Sequence, residues 1–278
     1  MSRLSSVFIL FVLLTSLFSC ERLHHVAIVH SSYSDSIDYV DKRKEYNLKL
    51  ISDVHLDLLT TLSDDEREQK IVKTINNFIT SQLAEISDIE SGDSLAHYLV
   101  QSYLEEMLEM AMSRYTDEYE EYPEELDSML VYDEEIDCTF FNNIQSECHF
   151  GLGDTIVCFT GNSSCYMGGA HPGEESFAYS FSLVDGNMVR IGTLLRKDCK
   201  GELLDRIKRK LMSLNHVDTE DELSGLGFKD IFISPHILLE KDSITFHYKN
   251  YTIAPFYLGA INIRFGYDEL KDLLNIKI

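Results

Sequence analysis

The sequence SFAYSFSLVDGNMVRI, residues 176–191, carries the clearest strand and turn pattern in the chain. Over residues 176–184, apolar side chains alternate with small or polar ones, as on a strand that buries one face. Asp185 and Gly186 follow, and an Asp-Gly pair between two such runs is a strong signal for a hairpin turn. The segment therefore predicts an antiparallel hairpin and indicates that the C-terminal half contains a sheet.

Strands and helices can be assigned outward from this hairpin. Further strands are predicted at residues 46–58, 138–150, 154–166, 231–239, 243–248 and 258–265, with turn signals at Asn142-Asn143 and Gly161-Asn162. Helices are predicted from Ser63, from about Asp93 to Pro123, at 203–214 and at 267–276. This order predicts an α+β fold, with a mostly antiparallel sheet and packed helices. The N-terminal half is expected to be helical and the C-terminal half rich in strands.

The first 19 residues predict a lipoprotein signal peptide. Arg3 supplies positive charge, and the apolar run at residues 7–18 is shorter than the roughly 20 residues of a membrane span. The run ends at Ser19-Cys20, which is similar to a bacterial lipobox. This similarity implies lipid attachment at Cys20 and anchoring in the cell envelope, with an outer membrane expected and a periplasmic or surface-facing orientation left open. An ordinary signal peptide or anchor that contains a cysteine is the alternative.

We expect three regions after the signal peptide. Residues 20–44 are polar and predict a lipidated, mainly solvated tether with an entry strand. Residues 45–137 predict a strand-helix-helix region, and residues 138–278 predict an α+β domain. His24, His25 and His30 lie in the tether, but no carboxylate or cysteine is spaced to complete a metal site with them. We therefore expect no metal and no cofactor.

Charge excludes one class of function and suggests another. The chain has 47 Asp and Glu against 24 Lys and Arg. Phosphate contacts need clustered cations, so this composition argues against nucleic acid as a ligand. Residues 85–137 alone hold 18 acidic residues and one basic residue. The sharper hypothesis is an acidic face for a cationic partner, formed by Glu118, Glu120, Glu121, Glu124 and Glu125. A solvated helix end and, less well supported, a calcium site are the alternatives.

The sequence contains no established catalytic motif. It lacks a nucleophile elbow, a phosphate-binding loop, a zincin motif and a dinucleotide fingerprint, so we predict no catalytic residue. A Cys165–His171 nucleophile pair has no third orienting group. Disulfides Cys138–Cys148 and Cys158–Cys165 would follow if each pair flanks a hairpin turn, and reduced buried thiols are the alternative.

Several motifs follow one another in residues 138–278. The first is YMGGAH, with Tyr166, Gly168, Gly169 and His171, and a later one is FHYKNYTIAP, with Tyr248, Tyr251 and Pro255. Gly259 and the segment INIRFGYDEL, residues 261–270, follow it. This order resembles the C-terminal domain of unknown function of RsiV-like anti-sigma factors, which also occurs beside some polysaccharide deacetylases. Residues 46–86 resemble the companion domain that precedes it.

The resemblance implies an extracytoplasmic binding or sensing module rather than a catalyst. The RsiV-like members recognise lysozyme, which is cationic, and an acidic partner face would suit such a ligand. We therefore expect a lipid-anchored envelope protein that binds a lysozyme-like enzyme, another basic protein or a glycan. A hydrolase of envelope polysaccharides and a purely structural envelope lipoprotein are the alternatives.

Overall fold

A five-stranded sheet forms the first part of the protein in a computed structural model, which describes residues 25–41, 46–84, 91–115, 137–168 and 171–275. Its strands are β1 (Val26–Asp41), β2 (Tyr46–Thr61), β3 (Asp137–Phe150), β4 (Ile156–Tyr166) and β5 (Gly173–Ser182), in that spatial order. Neighbouring strands are antiparallel except β2 and β3, which are parallel. The sheet therefore joins the N-terminal region to the strands that follow it.

Alternation along most of β2 gives this sheet two different faces. The alternating buried residues of β2 are Leu48, Leu50, Ser52, Val54, Leu56 and Leu58, and the residues between them include lysine, aspartate and histidine. Leu59, at the end of the pattern, is buried as well. Helices α1 (Glu66–Ala84) and α2 (Gly92–Tyr115) supply apolar side chains to the same core as these leucines. The opposite face of the sheet is polar.

A second, three-stranded sheet is formed by β6 (Ile237–Leu239), β7 (Ser243–Tyr248) and β8 (Ile261–Gly266), all antiparallel. The helices of this part are α3 (Ile191–Leu194), α4 (Lys200–Leu214), α5 (Glu220–Gly225) and α6 (Tyr267–Leu270). One face of α4 carries the buried Leu203, Ile207 and Leu211, which share a core with Phe246 and Phe265. Each sheet thus has its own apolar core.

Buried hydrogen bonds join the two sheets. Ser180 Oγ on β5 donates to the carbonyl of Ile237 over 3.1 Å and accepts the N–H of Leu239 over 2.8 Å. Cys158 Sγ on β4 donates to the carbonyl of Leu239 over 3.4 Å. Gly151 allows this approach, because a Cβ at that position would lie 2.2 Å from the Leu239 carbonyl oxygen. Strand β6 is therefore fixed against the polar side of the first sheet.

The structure confirms the predicted α+β class and the predominance of antiparallel pairing. The Asp185-Gly186 hairpin is present: Gly186 has φ +75° and Phe181 pairs with Met188. Strands expected at 138–150, 154–166 and 243–248 correspond to β3, β4 and β7. Within the described ranges, no helix combines the length and apolar character needed to cross a membrane.

Four local predictions are wrong. Of the strand expected at 231–239, only Ile237–Leu239 forms a strand, β6. Residues 26–41 of the expected tether form β1, because their backbone pairs with β2 along the whole strand despite their polar composition. The turn signals at 142–143 and 161–162 lie inside continuous strands, because flanking β-formers override them. The closing helix spans four residues, Tyr267–Leu270, rather than 267–276.

The disulfide Cys158–Cys165 is also excluded by strand β4. Both cysteines lie on this strand, seven residues apart, which corresponds to about 23 Å, whereas a disulfide needs Cα atoms within about 7 Å. Cys148, Cys158, Cys165 and Cys199 are free thiols, so the disulfide considered for Cys138 and Cys148 is excluded as well. Burial raises the pKa of Cys158 to about 11, so its sulfur is a protonated donor. The reduced-thiol alternative holds for these four residues.

Candidate functional site

A polar cleft of about 680 Å³ lies between the polar face of the first sheet and the second sheet. Its walls come from β3, β4 and β5 on one side and from β6, β7 and β8 on the other. The lining includes Glu147, Asn162, Glu174, Ser176, His247 and Arg264. We refer to this space as the polar cleft.

Three polar side chains from three strands meet in the polar cleft. His247 on β7 is 5% exposed. Its Nε2 lies 3.0 Å from Ser176 Oγ on β5, and its Nδ1 lies 2.8 Å from Asn262 Oδ1 on β8. An amide oxygen can only accept, so Nδ1–H is the donor to Asn262 and Nε2 carries the lone pair that accepts the Ser176 hydroxyl.

The surroundings of His247 favour its neutral form. Burial lowers the pKa of His247 below its ordinary value, and the charge of Lys249 lowers it further, against the raising effect of the Asn262 hydrogen bond. Burial likewise lowers the pKa of the neighbouring His236, to which Lys249 and His247 also contribute. At neutral pH the ring is therefore an uncharged acceptor toward Ser176.

Glu240 organises the other end of the polar cleft. Its Oε2 accepts hydrogen bonds from Ser243 and Thr245 over 3.0 and 2.9 Å. Arg264 donates through Nε to Ser243 Oγ and through a terminal nitrogen to Asp242, both over 2.8 Å. The charged groups of Glu240 and Arg264 are therefore hydrogen-bonded by residues of β7 and of the turn between β6 and β7. Among the residues described here, no group of three or more His, Cys, Asp and Glu side chains is arranged for a metal ion.

An exposed aromatic cluster lies beyond β7. The His171 ring stacks on Phe256 with centroids 4.3 Å apart, and Tyr251 stacks on the Phe256 ring at 5.2 Å. Tyr257 follows in the chain and is 75% exposed, and Tyr251 is 61% exposed. We call His171, Tyr251, Phe256 and Tyr257 the aromatic platform. His171 and Tyr251 are held by stacking on Phe256, and the Tyr257 hydroxyl donates to the Leu226 carbonyl over 3.3 Å.

Backbone geometry fixes this cluster. Tyr251 has φ +63°, a left-handed conformation that is costly for a bulky residue and occurs preferentially where function requires it. Pro255 precedes a short 3-10 turn, Phe256–Leu258, and its ring lies where a Cβ of Gly227 would come within 2.6 Å. The turn therefore presents Phe256 and Tyr257 on a supported backbone.

Carboxylates flank the aromatic platform on the side of β5. Asn250, next to Tyr251, donates to Glu174 over 2.8 Å. Lys249 lies 3.4 Å from Glu175. Both glutamates are exposed, so the platform lies beside negative charge that is only partly neutralised by Lys249.

The structure brings together some of the residues that the sequence singled out. His171, Tyr251 and Pro255 lie in or directly beside the aromatic platform. Tyr248 is instead 1% exposed, and its hydroxyl donates to the Phe232 carbonyl. Burial raises its pKa to about 12. Tyr248 is therefore a core residue whose ring is not accessible to a ligand.

The remaining predicted residues lie elsewhere or outside the described part of the chain. Tyr166 ends β4 and packs against Phe140 and Phe141, and Gly168 follows it with φ +89°. Three predicted features lie outside the described residues: the predicted lipid-attachment residue Cys20, Gly169, and the predicted acidic face of Glu118, Glu120, Glu121, Glu124 and Glu125.

Sequence reasoning missed Ser176, His247, Asn262, Phe256 and Tyr257. His247 lies between Phe246 and Tyr248 in a buried strand, and a polar residue there is the one local signal available. Ser176 and Asn262 have no such signal, because only tertiary packing brings β5 and β8 together at His247.

The fold and site define a two-sheet α+β protein with a polar cleft and an exposed aromatic platform. Residues 193–268 match a family model described as "Protein of unknown function (DUF3298)". This match includes His247, Asn262 and most of the aromatic platform. The C-terminal domain of unknown function expected from the motifs is thus supported at the level of this family model, and its RsiV-like assignment stays a prediction.

Two crystal structures are similar over most of the chain. A member of the DUF3298 family from Bacteroides fragilis has a TM-score of 0.68 and 18% identity, covering 91% of this chain and 96% of its own. A DUF3298 family protein from Pseudomonas aeruginosa has a TM-score of 0.51 and 13% identity, covering 90% of this chain and 95% of its own. No curated protein matches the chain. The similarity to the two structures establishes the fold.

Proposed function

We propose that the protein is an envelope binding module that recognises a basic protein, such as a lysozyme-like enzyme, through its aromatic platform. The observation that carries this proposal is the stack of His171, Phe256 and Tyr251 beside the exposed Tyr257. Rigid aromatic rings bury a large area at low entropic cost and are enriched in protein interfaces. The platform has the composition of an interface core.

Electrostatics favour a cationic partner. Glu174 and Glu175 lie beside the platform, and the whole chain carries a formal net charge of -23. Complementary charge accelerates the encounter with a basic protein and disfavours acidic ones. The resemblance to RsiV-like proteins implies recognition of lysozyme, and the positive charge of lysozyme is complementary to the negative charge of this chain. A glycan would gain from stacking on the rings but not from the charge.

Binding of the full chain to lysozyme, measured by biolayer interferometry, tests the proposal. Tyr257→Ala should weaken the affinity at least about tenfold, the effect expected of a central interface aromatic. The matched control is Tyr98→Ala, because Tyr98 on α2 is also exposed, at 55%, but lies outside the platform. Absence of lysozyme binding, or equal loss in both variants, would contradict the proposal. Binding of chito-oligosaccharide alone would point to a glycan ligand instead.

The proposal includes anchoring through lipid at Cys20. An envelope partner would then be met close to the membrane surface, since two or more acyl chains hold a protein there stably. Cys20→Ala should abolish incorporation of labelled fatty acid and recovery in the membrane fraction. A variant that still takes up label and sediments with membranes would show that the lipobox assignment is incorrect.

A further inference from the structure

A hydroxyl, an imidazole and an amide are aligned in the polar cleft in the order that nucleophilic catalysis requires. Ser176 Oγ lies 3.0 Å from His247 Nε2, and His247 Nδ1 lies 2.8 Å from Asn262 Oδ1. Nucleophile and base are within hydrogen-bond reach, and a third group orients the base. These contacts are independent of the aromatic platform.

We propose that Ser176, His247 and Asn262 form an acyl-transfer site that hydrolyses carboxylic esters. Asn262 holds the imidazole in the tautomer whose Nε2 accepts a proton. His247 is the general base, and Ser176, which is only partly buried and lines the open cleft, is the nucleophile. The side-chain amide of Asn162 lines the same cleft and would supply an N–H donor for a carbonyl oxygen.

The reaction balances without a metal or redox partner. Ser176 Oγ forms a bond to the ester carbonyl carbon while its proton passes to His247 Nε2. The bond from that carbon to the alcohol oxygen then breaks, and the leaving alcohol takes the proton from Nε2. A water molecule repeats the sequence on the acyl-serine, giving the carboxylic acid and regenerating the Ser176 hydroxyl.

The lining of the cleft restricts the substrate. Glu147, Glu174 and Glu175 contribute negative charge, so an anionic acyl group or alcohol is disfavoured. Hydroxyl and amide groups from Thr160, Ser163, Asn162 and Asn250 can hydrogen-bond a polyhydroxylated alcohol. The class that fits is a short-chain ester of a neutral, hydroxyl-rich molecule, such as an O-acetylated sugar.

The test combines a serine-reactive fluorophosphonate with p-nitrophenyl acetate hydrolysis, both on the full chain. Mass spectrometry should place the fluorophosphonate on Ser176, and the ester should give an acetylated Ser176 peptide. Ser176→Ala and His247→Gln should each lower the labelling and hydrolysis rates at least about 100-fold. Ser213→Ala, an exposed serine on α4 away from the cleft, should leave both rates unchanged.

Asn262 provides the check against a merely structural contact. Asn262→Asp keeps an acceptor for Nδ1–H and should retain labelling, whereas Asn262→Leu should reduce it at least about tenfold. Melting temperatures identify any variant that fails to fold. If Asn262→Leu does not fold, the labelling of Ser176 in Asn262→Asp decides whether an acceptor at position 262 is sufficient. No modification of Ser176, or equal labelling of Ser176 in folded wild-type and Asn262→Leu proteins, would overturn the proposal. Lysozyme binding by the same preparations would report separately on the platform.

Discussion

His247 shows how one buried polar side chain links the sheets to the cleft. It lies on the central strand of the second sheet, bonds Asn262 on the neighbouring strand and reaches Ser176 on the first sheet. Its ring is uncharged at neutral pH because burial lowers its pKa. Protonation would place a charge in this contact, so the residue couples the stability of the fold to pH.

We expect the free energy of unfolding to fall as pH decreases from 7 to 5. The unfolded chain protonates His247 near its ordinary pKa of 6.5, while the folded chain protonates it only at lower pH, so acid favours unfolding. One such histidine contributes at most about 1.4 kcal/mol per pH unit. Urea titrations at several pH values in this range give the free energy of unfolding at each pH. This free energy should change less with pH in His247→Gln than in the wild type. Ser164→Ala changes no titratable group, so its unfolding free energy should depend on pH as in the wild type. An equal pH dependence in all three proteins would contradict the role of His247.

The residue scale also shows why the platform was only partly predictable. Tyr251 and Pro255 were found through the motif that contains them. Phe256 and Tyr257 follow in a turn, where an aromatic residue carries no periodic signal of burial or exposure. The stack of His171 on Phe256 joins segments 85 positions apart and is set by tertiary structure.

Gly151 shows, at the scale of elements, how the two sheets are fixed together. Strand β6 has only three residues, and its backbone bonds Ser180 and Cys158 of the first sheet rather than extending that sheet. The close approach depends on the missing side chain at Gly151. The polar cleft lies beside this contact, so its shape depends on the docking of β6.

Gly151→Ala should therefore lower the free energy of unfolding by about 1–3 kcal/mol, because the added methyl group overlaps the Leu239 carbonyl. Gly201→Ala is the control, since a Cβ there meets no atom within 4 Å and lies in α4. Alanine is a better helix former than glycine, so the free energy of unfolding of Gly201→Ala should equal or exceed that of the wild type. Chemical denaturation of both variants decides, and equal stabilities would show that the close approach is not required.

Elements with strong alternation were predictable, and those that depend on partners were not. The hairpin at Asp185-Gly186 follows from its sequence alone. Strand β1 could not be predicted in this way, because its sequence is rich in serine and aspartate. Its extended conformation is stabilised by pairing with β2 along its whole length. The same composition read locally predicts a tether.

Charge is a property of the whole molecule, and most of it lies outside the aromatic platform. Residues 85–137 contain 18 acidic residues against one basic residue. Field effects of this size act before contact, so they alter the rate of association more than the stability of the complex. The acidic segment would then guide a basic partner that the platform holds.

Replacing Glu118, Glu120, Glu121, Glu124 and Glu125 with glutamine should slow association with lysozyme by on the order of tenfold at low salt. The difference should shrink toward physiological salt, where the screening length is about 8 Å. Stopped-flow rates measured against salt concentration test this, with the melting temperature as the control for folding. Identical salt dependence in both proteins would leave the segment as a solvated helix end.

Hydrogen–deuterium exchange of the full chain, with and without lysozyme, tests the central claim most directly. The account predicts slower exchange on binding in residues 249–259, which contain Tyr251, Phe256 and Tyr257, and in residues 171–175. Exchange in α4, which carries no platform residue, should not change. Unchanged exchange throughout, or protection confined to segments away from the aromatic platform, would contradict the claim that this protein binds a basic partner there.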